Sequence, residues 1–453
     1  MEIEKLLLEP ESKTLEFKKD LSSLDPIIKT IVAFANTAGG ILVIGYSQAE
    51  GIVGLEDIFH EEEKVANVIA DSIRPSISPE IEIVSVVGKN LLLIHVAHWK
   101  GPFYLKKLGT PQGIYMRLGS TSRPADATLI AEMQRQTLYR YFDEQPLVDL
   151  SLDSLDKERA QAYFAKVGKK LEDAQLLSLG ICVLQANRLV PSIGGLILFG
   201  KNSVREQFLP CAKVCCARFQ GKDKTYIIDR LDVQGTILDA IDEVPKFIRR
   251  NTRLAAEIRT IQRQDVEEYP SVALREALIN AFAHCDYSIP GSSIQISIFE
   301  DRLEIQNPGM LPLGFTLENL KEGTSRIRNR VIARVFNALH FMEEWGSGYR
   351  RILAACHAGG YKEPLWQELG TFLRVTFYPH NKTVLQETSI TMRQQDILSI
   401  FTLGIPLPFR EIVEKIPFAL SERALRYELT QLKAQGLLSS QGKGRATMWV
   451  RTR

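Results

Sequence analysis

Pro270-Ser271-Val272-Ala273-Leu274-Arg275-Glu276-Ala277-Leu278-Ile279-Asn280-Ala281-Phe282-Ala283-His284-Cys285-Asp286-Tyr287 reads as one helix followed by an acidic turn. Pro270 and Ser271 supply a helix start, and Leu274, Leu278, Ala281 and Phe282 recur at helical spacing, so one face is apolar and goes inward. Glu276, Asn280 and His284 follow one another a turn apart and stack along another side. Such a stripe is either solvated surface or a site. A carboxylate and an amide one turn apart, then His-x-Asp-Tyr, a strand and glycine-bearing loops, suit a divalent metal and a polyphosphate. The flanking segments decide between the two.

Downstream, Ser293 to Phe299 alternates as a strand, turns at Glu300-Asp301, and returns through Leu303-Glu304-Ile305 to Asn307-Pro308-Gly309. Leu311-Pro312-Leu313-Gly314-Phe315 follows, then the basic run Thr324-Ser325-Arg326-Ile327-Arg328-Asn329-Arg330, then Gly346-Ser347-Gly348 opening a helix through Tyr349-Arg350-Arg351-Ile352. This order of helix, hairpin, glycine turn, lid and Gly-x-Gly resembles the ATP-binding (GHKL) fold shared by gyrase, MutL and histidine kinases. It is nearest the divergent branch found in proteins labelled RecG-related ATP-dependent helicases, and covers about residues 180 to 380.

The resemblance implies ATP and magnesium as ligands, and assigns roles by position. Asn280 would coordinate the magnesium that bridges the phosphates, and Glu276 would position the attacking water as the base of a slow ATPase. His284 and Asp286 would replace an Asp that such sites carry three residues after the Asn, where this chain has Ala283. Asn307 stands where the fold usually has an Asp accepting from the adenine amino group; an amide accepts more weakly than a carboxylate. Gly309, Gly314, Arg328 and Asn329 fall in the turn and lid. Gly346 and Gly348 would let backbone N–H groups approach the phosphates at a helix start, where the dipole favours anions. Arg328 and Arg330, or Arg350 and Arg351, would neutralise phosphate, contact DNA or be solvated.

The remaining chain is ordinary in composition. Its 453 residues are 45% apolar and 24% charged, which fits about three globular domains. A net charge of +2 says little about the molecule as a whole and leaves room for local asymmetry. The start, Met1-Glu2-Ile3-Glu4, has no basic-then-apolar run, and no apolar stretch approaches the roughly 18 residues of a membrane span, so a cytoplasmic protein is expected. Six scattered cysteines without Cys-x-x-Cys pairs are expected as buried reduced thiols.

Near the N-terminus, Glu11-Ser12-Lys13-Thr14-Leu15-Glu16-Phe17-Lys18 predicts a charged strand, followed by a helix ending at Gly39-Gly40 and a buried strand over Ile41 to Ile44. Ile81 to Val87 and Leu91 to Val96 predict a hairpin, and Tyr115-Met116-Arg117-Leu118-Gly119-Ser120-Thr121 enters a polar loop. Glu-x-x-x-x-Glu-Phe-Lys, Ala-Phe-Ala-Asn-Thr-x-Gly-Gly and Arg-x-Gly-Ser in this order resemble the Alba-like (AlbA_2) domain of Schlafen proteins and prokaryotic regulators. Nuclease members of that family hold a metal on three acids and cut RNA. Glu11 and Glu16 match the first two, whereas Ser47-Gln48 replaces the third, with Glu50 the nearest acid. Two carboxylates still suffice to hold magnesium. The alternative is phosphate contact by Lys18, Lys19, Arg117 and Arg123.

Residues 126 to 141 read as a helix, Gln145-Pro146 as a break, and Leu155 to Val167 as another helix. Gly195-Leu196-Ile197-Leu198-Phe199-Gly200-Lys201-Asn202 has the glycine and lysine spacing of a phosphate-binding P-loop but ends in Asn. Its four intervening residues are large and apolar, so it is expected to be a core strand. In the tail, helices are expected over Thr391 to Leu403, Phe409 to Ile416 and Ser421 to Lys433, with a hairpin turning through Gly442-Lys443-Gly444-Arg445. From residue 388 onward ten Lys or Arg face five acids, a balance of +5. This tail looks like a winged helix-turn-helix, which would place Arg423, Arg426, Tyr427 and Thr430 in a major groove and Lys443 and Arg445 on the wing.

The expected fold is therefore α+β multidomain: an Alba-like α+β domain over 1–125, a helical linker over 126–150, a GHKL-type α/β sandwich over 151–380 and a winged helix over 388–453. The expected function is a DNA-binding transcriptional regulator with an ATP-binding switch, a homodimer on double-stranded DNA. The alternative is an ATP-controlled, metal-dependent nuclease acting on RNA through Glu11 and Glu16 in nucleic-acid defence. An ATPase acting on DNA structure is a third reading.

Overall fold

The helix expected after Pro270 spans Ser271–His284, and it is buried nearly all round rather than on one face. Glu276 is 7% exposed, so the polar stripe is not a wet surface. The computed structural model describes residues 3–138, 140–259, 262–342, 347–380, 390–442 and 447–452, with backbone alone over 254–265. The chain forms two units, residues 1–142 with 310–326, and residues 143–309 with 327–453.

In the first unit a four-stranded sheet runs in the order Leu15–Lys18, Gly40–Ile44, Lys89–Val96, Glu80–Val86. The first pair is parallel, Leu15 opposite Ile41, and the others antiparallel. Apolar residues of the helix Leu24–Asn36, among them Ile27, Ile31 and Phe34, form one core with Leu42, Ile44, Leu92 and Ile94. The helix ends where Asn36 turns inward. Its buried amide accepts from Phe103 N and donates to the carbonyls of Phe103 and Tyr115, which pins the following loop.

Residues 310–326, expected inside the ATP-type domain, group by their contacts with this first unit. Met310 and Leu313 are buried with Ile114, Met116 and Met133, and Gly314 N donates to Thr37 O at 2.5 Å. A short apolar run carries no mark of which core it will join. The Ala127–Thr137 helix, expected as linker, belongs to the same unit.

The second unit is built on a six-stranded mixed sheet, Ile227–Asp232, Val214–Phe219, Ile294–Ile298, Leu303–Pro308, Phe372–Phe377, Leu365–Leu369. The second and third strands are parallel, with Cys216 opposite Ile296; the remaining pairs are antiparallel. Helix Ser271–His284 packs against Leu303–Pro308, between the helices Ile237–Asn251 and Gly348–Ala358.

The expected core strand at Leu196 to Phe199 is a helix, Ile193–Phe199, all seven residues buried. A continuous apolar run fits a buried strand and a buried helix equally, because neither shows a polar face. The helix starts because Ser192 Oγ accepts from Gly195 N at 2.9 Å. With no exposed N–H cradle, the P-loop spacing is coincidental.

The tail, in the second unit, has helices Met392–Ser399, Phe409–Lys415 and Glu422–Ala434, the first ending four residues before the expected Leu403. A small sheet orders Pro406–Pro408, Met448–Arg451, Leu438–Gln441. Ser421 Oγ accepts from Ala424 N, and Leu425, Leu429 and Leu432 point into the tail's own core, as their spacing requires. The six cysteines are free thiols, and among the described residues no helix is long and apolar enough to cross a membrane.

Gly195 has no room for a side chain, because a Cβ there would overlap the Ile181 carbonyl. Gly195→Ala is expected to lower the unfolding free energy by about 1–3 kcal/mol, the usual effect of overpacking, as read from urea unfolding.

Candidate functional sites

Glu276 and Asn280 both face the start of the Gly348–Ala358 helix. A Cβ on Gly348 would lie 2.7 Å from Glu276 Oε1 and 2.8 Å from Asn280 Nδ2, so a larger residue here would displace the ends of both side chains. Arg351, one turn on, places Nε 3.8 Å from Glu276 Oε2. Asn280 is half-buried, and among the described residues its amide makes no side-chain hydrogen bond. The arrangement unites a carboxylate, an amide oxygen, a cation and the N-terminus of an eleven-residue helix. Those are the components of a site for an anion with a bound divalent cation. Gly346, Lys443 and Arg445 lie outside the described residues.

A second cluster gathers where the helix ends. Burial, with Arg328 nearby, pushes the His284 imidazole down to about 4, so it is neutral at physiological pH. Asp286 N donates to Pro308 O at 2.8 Å, joining the chain after the helix to the Asn307-Pro308-Gly309 turn. Asp286 Oδ1 accepts from Ser288 N and Oγ, and Oδ2 lies 3.4 Å from Arg328 Nη1. Gly309 adopts φ +102°, and a Cβ there would lie 2.8 Å from that of Asp286. Asn307 is buried and donates to Pro308 O at 3.3 Å. Asn329 is also buried, but its amide donates to the carbonyls of Ala283 and Cys285, which fastens the end of the lid to the helix C-terminus. Gly314 is in the first unit and joins neither cluster.

Asp143 went unnoticed in the sequence. Its fully buried carboxylate accepts from the backbone N–H groups of Arg330, Val331 and Ile332, seating the helix Arg330–Ala338 behind Arg328 and Asn329. Burial raises its pKa to about 7. Only a cap signal far away in sequence could have found it, because its partners lie some 190 positions on.

In the first unit the acids expected to hold a metal are occupied otherwise. Glu11 Oε1 accepts from Phe17 N at 3.0 Å. Glu16 is paired through Oε2 with Arg117 Nη1 at 2.8 Å and through Oε1 with Lys18. Glu50 pairs with Lys19 at the surface. Arg117, expected to touch phosphate, is 1% exposed; it also donates to Ser12 O and lies over the Phe34 ring. Arg123 is exposed. Among the described residues no group of three or more His, Cys, Asp or Glu side chains could hold a metal ion.

In the tail, Arg423 lies over the Tyr226 ring at 4.4 Å and Tyr427 Oη is 3.3 Å from Glu300 Oε1. Burial, helped by Glu300, raises the Tyr427 pKa to about 12. Arg426 lies over Phe409, and Thr430 Oγ1 donates to Arg426 O.

Residues 11–126 match the family model described as Schlafen, AlbA_2. Residues 291–377 match that described as Putative ATP-dependent DNA helicase recG C-terminal, a HATPase_c_4 domain. The chain joins an AlbA_2 domain to a RecG-related, ATPase-type domain. The second match begins after the Ser271–His284 helix, so Glu276 and Asn280 stand on geometry alone. The DIP2311 protein of Corynebacterium diphtheriae is similar over 99% of this chain and 96% of its own, at 19% identity and TM-score 0.44. The N-terminal domain of a putative ATP-dependent DNA helicase RecG-related protein of Nitrosomonas europaea is similar over 27% of this chain and 90% of its own, at 28% identity and TM-score 0.23. No protein of curated function matches.

The Glu16–Arg117 pair is buried, and removing one partner strands a charge. Arg117→Met is expected to destabilise the protein by about 3 kcal/mol in urea unfolding, where loss of a surface phosphate contact would leave stability unchanged.

Proposed function

We propose that this nucleic-acid-associated, ATPase-type protein is a DNA-binding transcriptional regulator in which bound ATP sets the conformation. The observation that carries the nucleotide reading is the close approach of Gly348 to Glu276 and Asn280. Asn280 would hold magnesium through its amide oxygen, and the backbone from Gly348 would receive phosphate. Glu276 would order water beside them, and Asn307 would accept from the adenine amino group. Magnesium, when bound, would neutralise phosphate charge. The residues fit such a group, since the Asn280 amide has no other side-chain partner among the described residues. Bound nucleotide acts as a switch only if it favours one conformation over another.

The tail supports the DNA half of the reading. Its three helices and three-stranded sheet, together with the +5 balance, support a winged-helix reading. Double-stranded DNA as the target, and a homodimer reading paired half-sites, belong to this proposal. The nuclease alternative has weaker support, because Glu11 and Glu16 serve Phe17 N and Arg117.

A fluorescent ATP analogue with magnesium is expected to bind the full chain, and Asn280→Ala or Gly348→Ala to weaken it about tenfold or more, roughly 1.4 kcal/mol. Affinities indistinguishable from the parent would remove the assignment. Labelled RNA and DNA incubated with magnesium and ATP should stay intact with both the parent and Glu16→Ala. Cleavage by the parent that Glu16→Ala abolishes would establish the nuclease instead.

A further inference from the structure

The helix Glu422–Ala434 presents three faces. Leu425, Leu429 and Leu432 enter the tail's core. Arg426 and Thr430 border solvent. The third stripe, Arg423 and Tyr427, is laid against the ATPase-type sheet, over Tyr226 and onto Glu300. Beside it Glu428, 5% exposed, meets Arg393, which is 1% exposed and pairs also with Asp229 on the edge strand Ile227–Asp232. Arg250 Nε and Asn251 Nδ2 complete the ring around Asp229, at 2.9 and 2.8 Å. Gln394 donates to Glu428 Oε2 at 2.8 Å.

We infer that the sheet edge holds this helix in a docked position that excludes DNA, and that duplex binding by the tail requires its release. The inference rests on the DNA-binding reading of the tail. A helix entering a major groove offers base edges and phosphates the half of its surface turned away from its own core. Here Tyr427 of that half is partly buried and its hydroxyl is engaged by Glu300, whose carboxylate would repel phosphate.

The tie is polar rather than apolar. The tail's hydrophobic core is made of tail residues alone, Ile397 through Trp449. Across the junction the side-chain contacts include the Arg393–Asp229 pair, the Tyr427–Glu300 bond and the stacked Arg423, beside a backbone bridge between Arg253 and Thr391. Buried ion pairs of this kind add little net stability, but they fix one geometry. A module held this way separates without opening a core.

The test uses the full chain, as parent, Tyr226→Ala/Glu300→Ala and Asp229→Asn. The double variant changes exposed side chains and keeps the test readable if Asp229→Asn misfolds. Amide exchange over residues 422–434 reads docking; anisotropy with a labelled mixed-sequence duplex at low salt reads DNA affinity. Faster exchange together with affinity raised about tenfold, the result of a larger competent fraction, is expected. Unchanged exchange, or faster exchange with the affinity of a parent that already binds, overturns the inference. Faster exchange with no binding by any protein also overturns it, and identifies the DNA reading of the tail as the part that failed.

Discussion

The approach of the Gly348 backbone to Glu276 and Asn280 is the constraint on which the candidate site depends. It sets how closely the helix Gly348–Ala358 crosses Ser271–His284, and it brings polar groups of one helix against the start of the other. A buried carboxylate left facing apolar side chains would be costly. Facing a helix N-terminus and Arg351, Glu276 has polar surroundings. The rest of the second unit serves this crossing: the sheet seats the first helix, and the turn at Asn307-Pro308-Gly309 is bonded to the end of that helix through Asp286.

The elements readable from sequence were those with local signals. Pro270 and Ser271 marked the start of the central helix, alternation marked Ile294–Ile298, and Ser421 with Gly436 marked the limits of Glu422–Ala434. The grouping of Glu276 with Asn280 is also local, being one helical turn, and Gly-x-Gly signalled a backbone that must come close. Leu196 to Phe199 was misjudged because buried helices and buried strands lose the periodicity that separates them.

Side chains whose partners are distant were not readable. Arg117 looks like a phosphate ligand in sequence, but its guanidinium closes over Phe34 and pairs with Glu16 across 101 positions. Asn329 looks like a lid residue and instead satisfies two carbonyls at the end of a helix. Asp143 has no sequence signal at all. In each case a polar group is consumed by the requirement that buried backbone and charge be paired, a requirement that acts on position in space. Residues 310–326 show the same for a whole segment. Their contacts group them with the first unit, where Met310 and Leu313 pack with Ile114, Met116 and Met133.

The segment 310–326 is held both by packing and by a backbone bond. Here its Gly314 N is bonded to Thr37 O, next to Asn36, and its apolar residues are buried, so moving it disturbs packing as well as loop conformation. The tail is held differently: its own core is made of tail residues, and charged groups around Asp229 tie it to the sheet edge. Packing is close to all-or-none, whereas a polar tie exchanges readily for water or for another charged partner. The tail's own core and its polar tie to Asp229 are thus separate, so the tie can be altered without changing the packing inside the tail.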